Sequence, residues 1–145
     1  MTNSTRGFSL IEVLLSIALI SILAGIGIPV FRGLQTKNDL DVATTTVAQT
    51  LRRAQTLSQA VDGDTSWGVK IQTGSITLFK GTSYAARDQT VDELFTISST
   101  IVPSGITEII FTKFTGAIAS SSTTTLSNDT DSRIITTNSK GMVSF

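Results

Sequence analysis

The segment RGFSLIEVLLSIALISILAGIGIPVF, residues 6–31, limits the fates of this chain more than any other. Between residues 8 and 31 the only ionisable side chain is Glu12. Twenty-four residues coiled as a helix reach roughly 36 Å at about 1.5 Å per residue. That is enough to cross a hydrocarbon layer of about 30 Å with some tilt. A helix that is apolar on every side has to be covered, by lipid or by other protein. The carboxylate is the anomaly. At a bilayer centre it costs about 2.5–3.5 kcal/mol on insertion scales, and less near the interface.

Two ordinary readings of this segment stand. As a secretory signal peptide it is longer than a typical apolar region and lacks a clear A-x-A cleavage site. Without cysteine it is no lipoprotein signal. As a plain signal anchor it places Glu12 near the head groups, where the carboxylate reaches water.

The remainder of the composition excludes more than it assigns. The chain has no cysteine, hence no disulfide framework and no thiol nucleophile, and no histidine. The commonest general base and the commonest transition-metal ligand are missing together. Eleven basic and eleven acidic side chains cancel, so no global field points to nucleic acid or to an anionic membrane. Serine and threonine are dense at 44–46 and 120–125, a composition suited to strands and solvated loops.

After Pro29 the pattern becomes one-sided. Leu40, Ala43, Val47, Leu51, Ala54, Leu57 and Val61 recur at steps of three and four, which predicts an amphipathic helix. Asp41, Thr45, Gln49, Arg52, Gln55 and Gln59 fill its other faces. The helix is expected to end at VDGD, with Gly63 as its cap. Gly25, Gly27 and Pro29 weaken the helix between its two halves, by about 1 kcal/mol per glycine and about 3 for an interior proline. A kink is expected at Pro29 and a soft backbone from about Ala24. Four regions follow: 1–7, 8–30, 31–62 and a β-rich domain at 63–145.

In that domain SWGVKI and SITLFK read as a hairpin turning at Gly74. ELFTIS and TEIIFTKF read as further strands, the latter broken by Gly116. RIITT and MVSF flank NSKG, a second hairpin, and Pro103 with Gly105 marks a turn. One helix followed by runs of strands predicts α+β: the apolar stripe of the helix covers an antiparallel sheet.

Candidate chemistry is sparse. Asp62 and Asp64, and Asn128, Asp129 and Asp131, are oxygen-rich clusters, but neither has EF-hand spacing, and such residues form turns. Asp92 and Glu93 are adjacent, so on a strand they point to opposite sides and read as surface. Arg52 and Arg53 read as a solvated or intersubunit face. Arg133 and Lys140 are too few to argue for DNA binding. No phosphate loop, nucleophile elbow or metal spacing occurs. The sequence therefore calls for no cofactor, no metal and no catalytic residue.

RGFSLIEVLLSIALIS resembles, position by position, the class III signal of type IV pilins and pseudopilins. There a short basic leader ends in glycine, an apolar residue opens the mature chain, and a glutamate stands at its fifth position. Here the leader is MTNSTRG, Gly7 is its last residue, Phe8 the first mature one and Glu12 the fifth. The resemblance implies cleavage between Gly7 and Phe8 by a membrane prepilin peptidase and N-methylation of Phe8. It implies a long helix with a transmembrane front half and an amphipathic rear half, packed on an antiparallel sheet (the pilin fold). It further implies assembly with other pilin or pseudopilin subunits by a membrane platform, with Glu12 pairing to a neighbour's N-terminus.

The leader would lie in the cytoplasm, the anchor in membrane lipid as a single pass, and the C-terminal domain outside, in a pilus or a periplasmic pseudopilus. IIFTKFTGAI…RIITTNSKGMVSF is similar in layout to the H-type minor pseudopilins of type II secretion and to FimT-like minor pilins, through Phe111, Gly116, Gly141 and Val143. Many relatives close a C-terminal loop with a disulfide; this chain cannot. The competing reading is an uncleaved, membrane-anchored extracellular adhesion domain using its Ser/Thr-rich sheet.

Overall fold

The computed structural model describes residues 7–145, except the side chains of 26–32. The chain divides into two compact units, Met1–Gln35 and Thr36–Phe145. One helix, α1 (Leu10–Gln59), contributes to both.

In the second unit the predicted stripe is the buried one. Leu40, Ala43, Val47, Leu51 and Ala54 are at most 1% exposed, and Leu57 packs at the margin. Covering each larger side chain is worth about 1.5–3 kcal/mol. Thr44 and Thr50 are buried beside them, and each hydroxyl donates to the carbonyl four residues back (Leu40 and Thr46), so neither brings an unmet donor into the core.

The helix ends earlier than its pattern predicts. Its last residue is Gln59, and the left-handed position falls on Val61 (φ 58°, ψ 31°), a β-branched residue at a place usually taken by glycine. A 3-10 turn, Asp62–Asp64, follows, with Gly63 inside it at φ 64°. The Trp67 indole N–H donates to the Asp62 carbonyl at 2.9 Å, so tertiary contacts fix where the chain turns.

Eight antiparallel strands form two four-stranded sheets rather than the single sheet expected. The first, in the order β3-β2-β1-β5, contains β1 (Trp67–Gln72), β2 (Ser75–Lys80), β3 (Asp88–Thr96) and β5 (Glu108–Phe111). The second, in the order β4-β6-β7-β8, contains β4 (Val102–Gly105), β6 (Ser122–Ser127), β7 (Ser132–Thr137) and β8 (Val143–Ser144). The α+β class, with a long N-terminal helix on antiparallel sheet, is as expected. The β1–β2 hairpin closes at Gly74 (φ 81°), pairing Gln72 with Ser75.

Two corrections account for the second sheet. Pro103 and Gly105 do not make a turn; they lie in β4, an edge strand, where a residue without an N–H is tolerated. And STTTLS, to which the sequence pattern assigned no element, forms β6, an inner strand. Its Ser122, Thr124 and Leu126 alternate inward, and β-branched threonine suits a pleated surface. Trp67, Val69, Ile76 and Phe111 from the first sheet and Leu126 and Ile135 from the second share one apolar core with α1.

The loop at 81–87 covers the outer face of the first sheet. The Tyr84 ring stands edge-on to Phe79 at 5.6 Å, and the Arg87 guanidinium lies 3.8 Å over Tyr84. Phe79 crosses Gly68, its cross-strand partner, where a Cβ would meet the ring at 2.5 Å. Arg87 also donates to Asp92 at 2.7 Å, a bond that holds the guanidinium above its usual pKa. Asp92 is therefore largely covered, not the surface carboxylate expected.

The C-terminal region is held by hydrogen bonds. Gln55, expected on a solvated face, donates its amide to the carbonyls of Gly116 (3.2 Å) and Lys140 (3.0 Å). Gln59 donates to Thr115. The Asn138 side chain accepts from the backbone N–H groups of Lys140 and Met142, both at 3.0 Å, and closes the NSKG turn. Gly141 (φ 84°) lies so close under Gly116 and Gln55 that a Cβ would collide with both.

Candidate processing and assembly site

Gly7, Phe8 and Ser9 precede the helix in non-helical backbone. Gly7 is exposed and Phe8 is 79% exposed. The Gly7–Phe8 peptide bond is thus open to a protein that reads extended chain. A Cβ built on Gly7 meets nothing within 4 Å. Nothing in the described part of this chain requires glycine there.

Ser9 opens the helix. Its carbonyl accepts from the N–H groups of Glu12 (3.1 Å) and Val13 (3.2 Å), and its hydroxyl accepts from the Glu12 N–H at 3.3 Å. That is half of a capping box, and the S-x-x-E spacing of Ser9 and Glu12 is its sequence signal, one the family resemblance had overshadowed. Glu12 stands in the first turn, where the positive end of the helix dipole favours a carboxylate by about 0.3–1 kcal/mol. Ser16 and Ser21 return their hydroxyl protons to the carbonyls of Glu12 and Ile17, so neither presents a free donor.

All eleven large apolar side chains from Phe8 to Leu23 are 45–80% exposed. A continuous apolar surface of this kind marks a membrane or protein interface. Among the described residues no helix is long and apolar enough to cross a membrane. The bend expected at Pro29 falls on a side chain outside the described residues.

The remaining candidates resolve into structural roles. Asp64 pairs with Lys113, which lowers its pKa. The Asn128 carboxamide oxygen accepts from the N–H groups of Thr130 and Asp131, and its amide donates to the Thr36 carbonyl at 3.1 Å. Asp131 is held below the usual carboxylate range by the Ser132 N–H and then by Arg133. Arg133 also reaches Asp41 at 3.0 Å, so it is no free cation for a polyanion. Glu93 pairs with Arg53 across to α1 while its neighbour Asp92 takes Arg87, in keeping with side chains on opposite faces of the strand. Among the described residues no group of three or more candidate ligands could hold a metal ion.

Phe111 is fully buried, Gly116 and Gly141 both sit at positive φ beneath α1, and Val143 packs on the core. The four residues of the late-strand layout therefore gather at the rear of the helix.

Residues 2–28 match the prokaryotic N-terminal methylation motif. The match covers the start of the chain alone and supports a class III prepilin signal there, similar to that of type IV pilins and pseudopilins. No solved structure matches the chain.

Proposed function

We propose that this chain is a prepilin-like structural subunit. It is cut between Gly7 and Phe8 by a prepilin peptidase, N-methylated on Phe8, and assembled with other pilin or pseudopilin subunits into a type IV pilus or a type II secretion-type pseudopilus. Before assembly it sits in the inner membrane by its apolar segment, with the domain outside; a membrane platform then draws it into the filament. Pro29 bends or softens the helix between the lipid-facing part and the domain.

One observation carries the reading. The matched motif spans Gly7, Phe8 and Glu12, and among the described residues all three are exposed and nothing lies within 4 Å of a Cβ built on Gly7. The role of Glu12 follows from charge. A carboxylate packed among apolar helices needs a partner, and the amino group of a neighbour's Phe8 is a cation that cleavage creates. Two unit charges about 4 Å apart attract by about 4 kcal/mol at an effective dielectric of 20. That selects one register among many greasy ones.

Mass spectrometry of the protein from its native membrane tests this. The expected N-terminus is a monomethylated Phe8. An intact Met1, as the uncleaved adhesion-domain reading requires, or a cut near Ala24 or Gly25, refutes it.

A further inference from the structure

The chain from Val102 to Phe111 serves the two sheets in succession, and one ladder splits on the way. Its first part, β4, pairs with β6, and the Ile106 N–H extends that pairing to the Thr123 carbonyl at 3.0 Å. Its second part, β5, pairs with β1 instead. The segment leading into β6 meets β5 again only at its far end, where the Thr112 N–H donates to the Ala117 carbonyl at 2.8 Å. Between these two closures the chains diverge around a cleft of about 170 Å³.

The ladder decides which backbone groups face that cleft. The Ile71 N–H donates to the Thr107 carbonyl at 2.8 Å, so Thr107, Ile109 and Phe111 are the residues that exchange hydrogen bonds with β1. Antiparallel pairing alternates, so Glu108 and Ile110 turn their N–H and C=O groups the other way, into the cleft. Among the described residues no backbone hydrogen bond from 119–121 reaches them. Ser122 lines the same cleft, is 4% exposed, and its hydroxyl has no partner. The other walls are apolar: Ile106, Ile109, Ile110, Ile118 and Ala119. The carboxylate of Glu108 is already taken, by Lys70 at 3.3 Å and by the Tyr84 N–H at 2.9 Å.

The volume of about 170 Å³ is far more than one water molecule needs, and below the roughly 300–1,000 Å³ of pockets for compact drug-sized ligands. Two N–H and two C=O groups set at strand spacing along one edge match the backbone of an extended peptide, which can pair there as an added strand. Walls without a free charge favour an uncharged segment, because a charged side chain desolvated among isoleucines has no partner.

We propose that the β5 edge binds a short, extended, uncharged peptide segment of another protein by strand addition, in the cleft between Glu108–Ile110 and residues 118–121. This recognition is separate from processing and assembly at Gly7, Phe8 and Glu12, and does not depend on the filament reading.

The probe is a capped pentapeptide of alternating valine and serine, titrated into the detergent-solubilised full chain while hydrogen exchange of single amides is followed by NMR. At saturation the N–H groups of Glu108 and Ile110 should exchange at least tenfold more slowly, and the amides of β3, at the opposite edge of the sheet, should be unchanged. The same peptide methylated on alternate backbone nitrogens should give no protection. Ala119→Phe fills the cleft from an exposed position; it should weaken binding at least tenfold and leave the melting temperature unaltered.

No slowing at millimolar peptide, equal protection by the methylated peptide, or undiminished binding by the Ala119→Phe variant would each overturn the proposal. So would protection that appears without peptide and rises with protein concentration, which would assign the cleft to a second copy of this chain.

Discussion

Replacing Ser58 by alanine tests how α1 is welded to the sheet. Ser58 is fully buried. Its hydroxyl donates to the Phe111 carbonyl at 3.0 Å and accepts from the Trp67 N–H at 3.0 Å, so one atom joins the helix to both β1 and β5. Ser58→Ala leaves a buried donor and a buried acceptor without that partner, at about 1–3 kcal/mol per orphaned group. The carbonyl retains a second lone pair, which places the total near the lower part of the sum, about 2–4 kcal/mol. The unit Thr36–Phe145 has 110 residues. At about 2.1 cal/mol/K per residue its unfolding entropy is roughly 0.23 kcal/mol/K, so the melting temperature should fall by about 9–17 °C.

Trp67 is the only tryptophan and itself belongs to the junction. Its emission during heating of the detergent-solubilised chain is therefore the direct readout. Ser16→Ala is the control, since that hydroxyl bonds only to the exposed Glu12 carbonyl; it should move the midpoint by less than about 2 °C. A Ser58→Ala midpoint within about 2 °C of wild type would refute the two-way bridge.

Further outcomes follow from other positions. Gly7→Ala should leave the domain's melting unchanged, since a Cβ there meets nothing; mass spectrometry should instead find the leader retained. Glu12→Gln should insert into membranes as well as wild type or better, yet yield few filaments in a shearing assay. Gly141→Ala forces a side chain into a left-handed position against Gly116 and Gln55, and should cost about 2–4 kcal/mol in a denaturant titration. Asp64, Asp88 and Asp131 have lowered folded pKa values, from hydrogen bonds to Lys113, to Thr90 and to the Ser132 N–H respectively. A depressed carboxylate stabilises the fold above its unfolded pKa of about 3.9 and loses that contribution as pH falls through the folded value. Stability should therefore drop below about pH 4, and Asp131→Asn should flatten that decline in melts taken from pH 5 to 2.

The helix stripe and the β1–β2 hairpin were legible in the sequence because each follows from a local period or a turn residue. Leu40 to Ala54 keep their spacing, and Gly74 sits where the chain must reverse. What was hidden depends on contacts distant in sequence. Gln55 looks like any solvated helix residue until Gly116 and Lys140 arrive sixty-one and eighty-five positions later. STTTLS lacks the apolar alternation of a half-buried strand, since threonine serves both faces of β6. Pro103 signals a turn unless its strand lies at an edge, and edges are set by topology. The proposed processing site is of a different kind: a peptidase would read it as linear sequence, so its signal needs no distant contact.

Glu12 and the apolar surface around it make different demands on what covers them. Lipid satisfies the eleven exposed apolar side chains but offers a carboxylate only the head-group level. A neighbouring helix bearing a cation satisfies both. Within residues 7–25 no side-chain cation exists; the proposed cut would supply one, the amino group of Phe8, four residues before Glu12. On the proposed reading this imposes an order. The uncut precursor is matched to the membrane, with Glu12 near its surface, and gains nothing from helix packing that would bury an unpaired charge. Cleavage reverses the preference without changing any contact in the domain. An uncut Gly7→Ala precursor should therefore accumulate in the membrane, folded and unassembled, even when the assembly machinery is abundant; its incorporation into filaments at wild-type levels would break the argument.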